Sequence, residues 1–243
     1  MTLLRVATYN VHKCRGLDRR VSPARVARVL REVDADIVAL QEVLSVGGKR
    51  PEDDQARFLA EELGYEFCVG ENRELKGGAY GNATLSRISL SAFSNYDITW
   101  RGRERRGCLR TDVELDNALL HVFNVHLGTA FMERRRQARR LLDQEILKSS
   151  DLKGARIVLG DFNEWTRGMA TRLLGEELES ADVRALLGRA KTYPGVLPLL
   201  HLDHIYYDAR RLRLERLTLH KSRTALIASD HLPLVADFKL LHS

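Results

Sequence analysis

Five short polar clusters, Asn10, Gln41-Glu42, His126, Asp161 with Asn163, and Asp230-His231, each follow or interrupt an apolar run. A carboxylate or imidazole buried at the end of such a run is costly unless it is paired or liganded, so several of them predict one shared site. With Asp203 the inventory is rich in oxygen donors and contains no thiolate, which suits a hard cation, Mg²⁺ with Mn²⁺ as the alternative, over Zn²⁺. The two histidines add groups that donate to phosphate oxygens or transfer protons near neutral pH. Taken singly, each cluster also reads as a capped turn or a satisfied core residue. Their recurrence at strand ends favours a shared site.

The elements that must carry these residues are legible from periodicity. Residues 3–11 read as a strand, and Ser22-Pro23 as the cap and first turn of a helix with Val26, Val29, Leu30 and Val33 on one face. Residues 36–40 form a compact apolar run that delivers Gln41-Glu42 at its tip, and a helix is expected over 52–63, stopped by Gly64. From 65 to 127 the pattern changes to strands, including 82–87, 110–115 and 119–127, with Asp116-Asn117 a turn. A helix over 131–148, a strand over 155–160, a shorter helical stretch, and strands over 203–207 and 232–240 complete the reading. Strand blocks split by helices predict an α/β fold, a four-layer α-β-β-α sandwich of two packed, largely antiparallel sheets flanked by helices.

At 243 residues, with 44% hydrophobic and 30% charged residues, the chain has the size and composition of one globular domain spanning 1–243. No run of about 18 uncharged apolar residues is present and the start lacks a signal peptide's apolar region, so no transmembrane segment and a cytoplasmic location are expected. Cys14, Cys68 and Cys108 are odd in number and form no CxxC, which argues for packed thiols rather than a disulfide framework or zinc site. The net charge of +6 favours polyanionic partners. No Gly-x-Ser-x-Gly elbow and no Walker-type loop is present, which disfavours covalent serine catalysis and nucleotide-driven work.

The segments Thr8-Tyr9-Asn10, Leu40-Gln41-Glu42, Tyr80-Gly81-Asn82 running into Leu85-Ser86-Arg87, Asn124-Val125-His126-Leu127, Gly160-Asp161-Phe162-Asn163, Leu202-Asp203-His204-Ile205 and Ser229-Asp230-His231 together resemble the ordered signature of the endonuclease/exonuclease/phosphatase superfamily. The resemblance implies a DNase-like fold and metal-assisted attack of water on a phosphate ester. It implies that Glu42 and Asn10 hold the metal, with Asp230 at the metal site or supporting His231. Asp161 would orient or deprotonate the water, Asn163 position the phosphate, and Asp203 orient the catalytic His231, with His126 as a second histidine. Asn82, Tyr80, His12 and Arg106 are the expected substrate-binding residues. Local similarity is greatest to small bacterial members with a motif like Asn10-Val11-His12-Lys13, followed by Arg106-Gly107 and Thr192-Tyr193-Pro194. His12 stands where abasic-site endonucleases of the exonuclease III type carry an acidic residue, and His204 is left outside the expected site.

Two basic segments remain. Residues 101–110, next to Trp100, could reach phosphates as a loop, whereas Arg134, Arg135, Arg136, Arg139 and Arg140 read as a solvated helix face. The expected activity is therefore a phosphodiesterase with nucleic acid favoured over phospholipid and with no obligate protein partner. A sphingomyelin-type phosphodiesterase or small-molecule phosphatase, and a catalytically silent binding module, are the alternatives.

Overall fold

Apolar residues that alternate along a strand must be buried on the face they share, and strands apolar on both faces must be covered on both. The computed structural model describes residues 3–48, 50–164, 168–181, 192–193 and 200–241. Its first sheet contains β1 (Leu3–Asn10), β2 (Ile37–Ser45), β3 (Glu66–Leu75), β4 (Gly78–Ser86), β11 (Leu212–Leu219) and β12 (Leu234–Leu240). These run in the order β11-β12-β1-β2-β4-β3. The second contains β5 (Leu90–Asp97), β6 (Gly107–Leu115), β7 (Ala118–His126), β8 (Ala155–Asp161), β9 (Glu179–Ser180) and β10 (Asp203–Tyr207), in the order β5-β6-β7-β8-β10-β9. Both sheets are mixed: β1–β2 and β7–β8 pair in parallel, and the other neighbours antiparallel.

Three apolar layers separate four layers of structure. Leu4, Val6, Ile37, Leu120, Ile157 and Phe238 fill the space between the sheets. On the outer face of the first sheet, Tyr9, Val38 and Leu40 pack against Val26, Val29 and Leu30 of α1 (Pro23–Val33) and Leu59 of α2 (Gln55–Leu63). On the outer face of the second, Phe123, Val125 and Val158 meet Ala138 and Leu141 of α3 (Phe131–Leu141) and Leu174 of α4 (Met169–Gly175). This is the expected sandwich.

Ser22 caps α1 by accepting from the Arg25 N–H, with Pro23 in the first turn. The second helix begins at Gln55, later than its periodicity suggests. Pro51–Asp53 is a separate 3₁₀ turn, and Asp54 then caps the helix by accepting from Arg57 N–H. The third helix ends at Leu141 instead of continuing to 148. Asp143 accepts from the Gln144 N–H and the Arg140 side chain, so a local side-chain bond competes with the helical ladder. Arg134 corrects the reading of a solvated face: it is buried, with its guanidinium on the Gly128 and Thr129 carbonyls. Arg136 and Arg139 do face solvent. All three cysteines are free and buried. Among the described residues no helix is long and apolar enough to cross a membrane.

Candidate active site

Strand parity positions the polar residues. On β8, Ala155, Ile157 and Leu159 face the inter-sheet core, so Asp161 continues that face at the strand's end. On β7, Leu120 and Val122 do the same for Asn124 and His126, and on β10 Ile205 and Tyr207 for Asp203. Asn10 ends β1 beyond Val6 and Thr8. The pairing registers His126↔Asp161, Asp203↔Asp161 and Asn10↔Gln41 place these ends along one rim. His204 has the opposite parity. Its ring lies against Phe162 in the outer layer and its Nε2 on the Glu164 carbonyl, so it stays outside the site.

Asp161 is the centre. Its Oδ2 accepts from Asn10 Nδ2 at 3.0 Å and lies 3.5 Å from His126 Nε2 and 3.6 Å from His231 Nε2. Its Oδ1 accepts from the Asn163 N–H at 2.9 Å, while Asn163 Nδ2 donates to the Leu127 carbonyl. Gly160 makes this approach feasible. Its φ is +151°, and a Cβ there would stand 1.9 Å from the Val125 carbonyl oxygen on β7.

Glu42 reaches the rim by a backbone irregularity. In a regular strand it would share a face with Val38 and Leu40, which point toward the helices. Instead β2 shifts register against β4 between Leu40 and Val43, and Glu42 adopts φ +58°. Such a bulge re-aims a side chain at a small conformational cost. Glu42 Oε1 accepts from Asn10 Nδ2 at 3.2 Å, and Oε2 from Lys13 Nζ at 2.7 Å. Burial pushes the Glu42 carboxyl up, but the neighbouring His126, Lys13 and Asn10 outweigh it and hold it at about 2.

The two histidines have opposite surroundings. Burial and the Arg106 guanidinium bring His126 down to about 4, so it is neutral at pH 7. Arg106 Nη1 lies 2.9 Å from Nδ1 and 3.2 Å from Nε2. Donation to the nearer Nδ1 assigns the ring proton to Nε2, on the side of Asp161. His231 is also buried, which lowers its pKa, but Asp203 and Asp161 prevail and raise it to about 10. Its Nδ1 lies 2.9 Å from Asp203 Oδ2.

The remaining predicted residues divide. Tyr80 is buried beneath two cations, Arg73 and Lys13, 4.8 Å and 5.6 Å from its ring centroid, and burial and Glu42 raise its hydroxyl pKa. His12 Nδ1 lies 3.6 Å from Asp230 Oδ1, next to Ser229, whose hydroxyl donates to the Asn10 carbonyl. Asn82 is fully buried and turned into the sandwich, its Nδ2 donating across to the Gly107 and Asn124 carbonyls. It joins sheets. Two neighbours lay outside the predicted set, Lys13 and Tyr193, whose ring centroid lies 5.0 Å from that of His231. Their only sequence signal was membership of the Asn10-Val11-His12-Lys13 and Thr192-Tyr193-Pro194 motifs, and Pro194 lies outside the described residues.

Among the described residues no three His, Cys, Asp or Glu side chains close into a cluster able to hold a metal by themselves. Glu42 and Asp161 nonetheless both accept from Asn10 Nδ2, while Asn10 Oδ1 accepts from the His12 N–H, so the set offers carboxylate and amide oxygens and no cysteine. This donor chemistry fits a hard divalent cation with remaining positions left to water and substrate.

Two mixed six-stranded sheets flanked by helices, with carboxylates, amides and two histidines on one rim, define the class. The Endonuclease/Exonuclease/phosphatase family model matches residues 7–231, and the chain belongs to that family. Its members are hydrolases of phosphoester bonds and commonly use divalent metal ions. The uncharacterized protein YbhP of Escherichia coli K12 is 33% identical over 248 residues, covering 97% of this chain and 96% of its own. The solved endonuclease/exonuclease/phosphatase of Beutenbergia cavernae superposes with a TM-score of 0.81 at 22% identity, over 99% of this chain and 72% of that one. The human Nocturnin catalytic domain, with bound sulfate, does so with 0.78 at 20% identity, over 98% and 95%.

Proposed function

We propose that the chain is a Mg²⁺- or Mn²⁺-dependent phosphodiesterase acting on nucleic acid. The observation that carries the reading is the placement of two histidines within 3.6 Å of one carboxylate oxygen, Asp161 Oδ2, with the Arg106 guanidinium on His126 and the Asp203 carboxylate on His231. Environments that separate two titrating groups in this way assign acid and base roles.

Asp161 Oδ2 takes a proton from the attacking water, and the water oxygen bonds to phosphorus as the ester bond to the leaving oxygen breaks. His231, charged and oriented by Asp203, gives its Nε2 proton to that leaving oxygen. Neutral His126, held by Arg106, donates its Nε2–H to a non-bridging oxygen, and Asn163 positions the phosphate. A divalent cation held by Glu42 and Asn10, with Asp230 nearby, would neutralise charge on the phosphate in the transition state. The positive net charge supports nucleic acid as the substrate.

The test compares hydrolysis of bis-p-nitrophenyl phosphate, DNA, RNA and phospholipid vesicles in Mg²⁺, Mn²⁺ or EDTA. Metal-dependent turnover of nucleic acid that falls at least about 100-fold in both Asp161→Asn and Glu42→Gln is expected. Metal-independent turnover, or hydrolysis of vesicles with nucleic acid left intact, refutes it.

A further inference from the structure

Lys13 sits in an unusual piece of backbone. His12, Lys13 and Cys14 have φ of +47°, +60° and +53°, three consecutive non-glycine residues in the left-handed region. Each costs about 1–2 kcal/mol relative to a right-handed conformation, so surrounding structure must hold the turn. Gln55 does so by donating Nε2 to the Lys13 carbonyl at 2.8 Å. The turn presents the Lys13 ammonium to Glu42 on one side, and on the other it opens a cleft of about 640 Å³.

Five cations line that cleft, Lys13, Arg15, Arg19, Arg50 and Lys76, against two carboxylates, Glu52 and Asp53. Lys13 is paired with Glu42 and Arg50 with Asp53. Arg15, Arg19 and Lys76 are exposed and make no ion pair among the described residues. Unneutralised like charges gathered in a cleft focus a positive potential there and raise the local concentration of anions. On the Arg-rich α3, Arg134 bonds to carbonyls and Arg140 to Asp143 and Glu145, while Arg136 and Arg139 face solvent outside this cleft.

From this juxtaposition we infer that the cleft is a subsite for a backbone phosphate flanking the scissile one, contacted by Arg15, Arg19 and Lys76. The inference rests on the nucleic-acid reading above and deepens it, because Lys13 belongs both to the cleft wall and to the Glu42 centre. A diester with one phosphate cannot use the subsite, whereas an oligonucleotide can. The phosphate bound there contributes affinity without reading sequence.

The test uses the full chain with the substitutions Arg15→Gln, Arg19→Gln and Lys76→Gln combined, all at exposed side chains. Binding of a fluorescently labelled single-stranded oligonucleotide in EDTA, across a range of salt, should weaken about tenfold, and the slope of log K against log salt should fall by about 0.7 for each phosphate that is no longer neutralised. The ratio of kcat/KM for the oligonucleotide to that for bis-p-nitrophenyl phosphate should fall by a similar factor, through KM. Wild-type protein that binds and cleaves the oligonucleotide while the triple variant keeps its affinity, salt slope and ratio overturns the subsite and leaves the nucleic-acid reading standing. Wild-type protein that hydrolyses bis-p-nitrophenyl phosphate but neither binds nor cleaves the oligonucleotide overturns both. A variant whose only loss is binding to vesicles containing anionic phospholipid overturns the subsite as well, since the cleft then takes a lipid headgroup.

Discussion

Replacing Asp203 by Asn removes the charge that keeps His231 protonated and leaves an amide of the same shape. His231 stands at about 10 against an ordinary 6.5, a gap of about 5 kcal/mol at about 1.4 kcal/mol per pKa unit. Burial opposes that rise, so the carboxylates together contribute more than the gap. Asp203 at 2.9 Å outweighs Asp161 at 3.6 Å. Loss of its share, on the order of 3 kcal/mol, brings His231 to about 8 or below. The sign for stability follows. A folded-state pKa raised above the unfolded value contributes stability that is fully present below about 6.5 and is lost as pH rises through about 10. Metal-free wild-type protein should therefore lose urea resistance across that window, and Asp203→Asn should lose much less over it. A histidine NMR titration of the metal-free protein reads the pKa directly. Turnover should fall on the order of 10²–10⁴-fold, as for an orienting aspartate elsewhere. A His231 pKa within about half a unit of wild type, or unchanged turnover, would refute the assignment of Asp203 as the group that charges and orients the ring.

Arg106→Gln should raise the His126 pKa from about 4 toward its ordinary value, because a cation 2.9 Å from Nδ1 is removed while burial remains. The acid limb of the pH profile of kcat/KM should move upward with it, and a profile superimposable on wild type would contradict the pairing. Asn124→Leu should destabilise the fold by roughly 2–4 kcal/mol in urea unfolding, because Asn124 accepts from Gln41 and donates to the Leu40 and Ala83 carbonyls, all of which would be left without a buried partner. A change below about 1 kcal/mol would mean that the bonds between the sheets are replaceable by water.

The strands near 3–11, 36–40, 82–87, 110–115, 119–127, 155–160, 203–207 and 232–240, and the polar residues at their ends, were legible in the sequence by itself as local periodicities, whereas β9 and β11 were not read. Asn10, Asp161, His126 and Asp203 were legible for that reason, since each continues the inward parity of its own strand. Glu42 was legible as a polar residue at the tip of its strand, but the backbone irregularity that aims it at the rim was not. A regular β2 would turn it toward the helices, and only the bulge against β4 brings it round. Tertiary structure decided the charge states: the family resemblance implied that Asp203 orients His231, 28 residues away, but no local pattern encodes the pairing of Arg106 with His126, 20 residues away, or the protonation that either pair produces. It also decided that Asn82 joins sheets, that Arg134 is buried, and that a left-handed turn at Lys13 links Glu42 to a basic cleft. A side chain's type sets what chemistry it can perform. Its protonation, its direction and the groups it meets follow from neighbours that folding brings from distant parts of the chain.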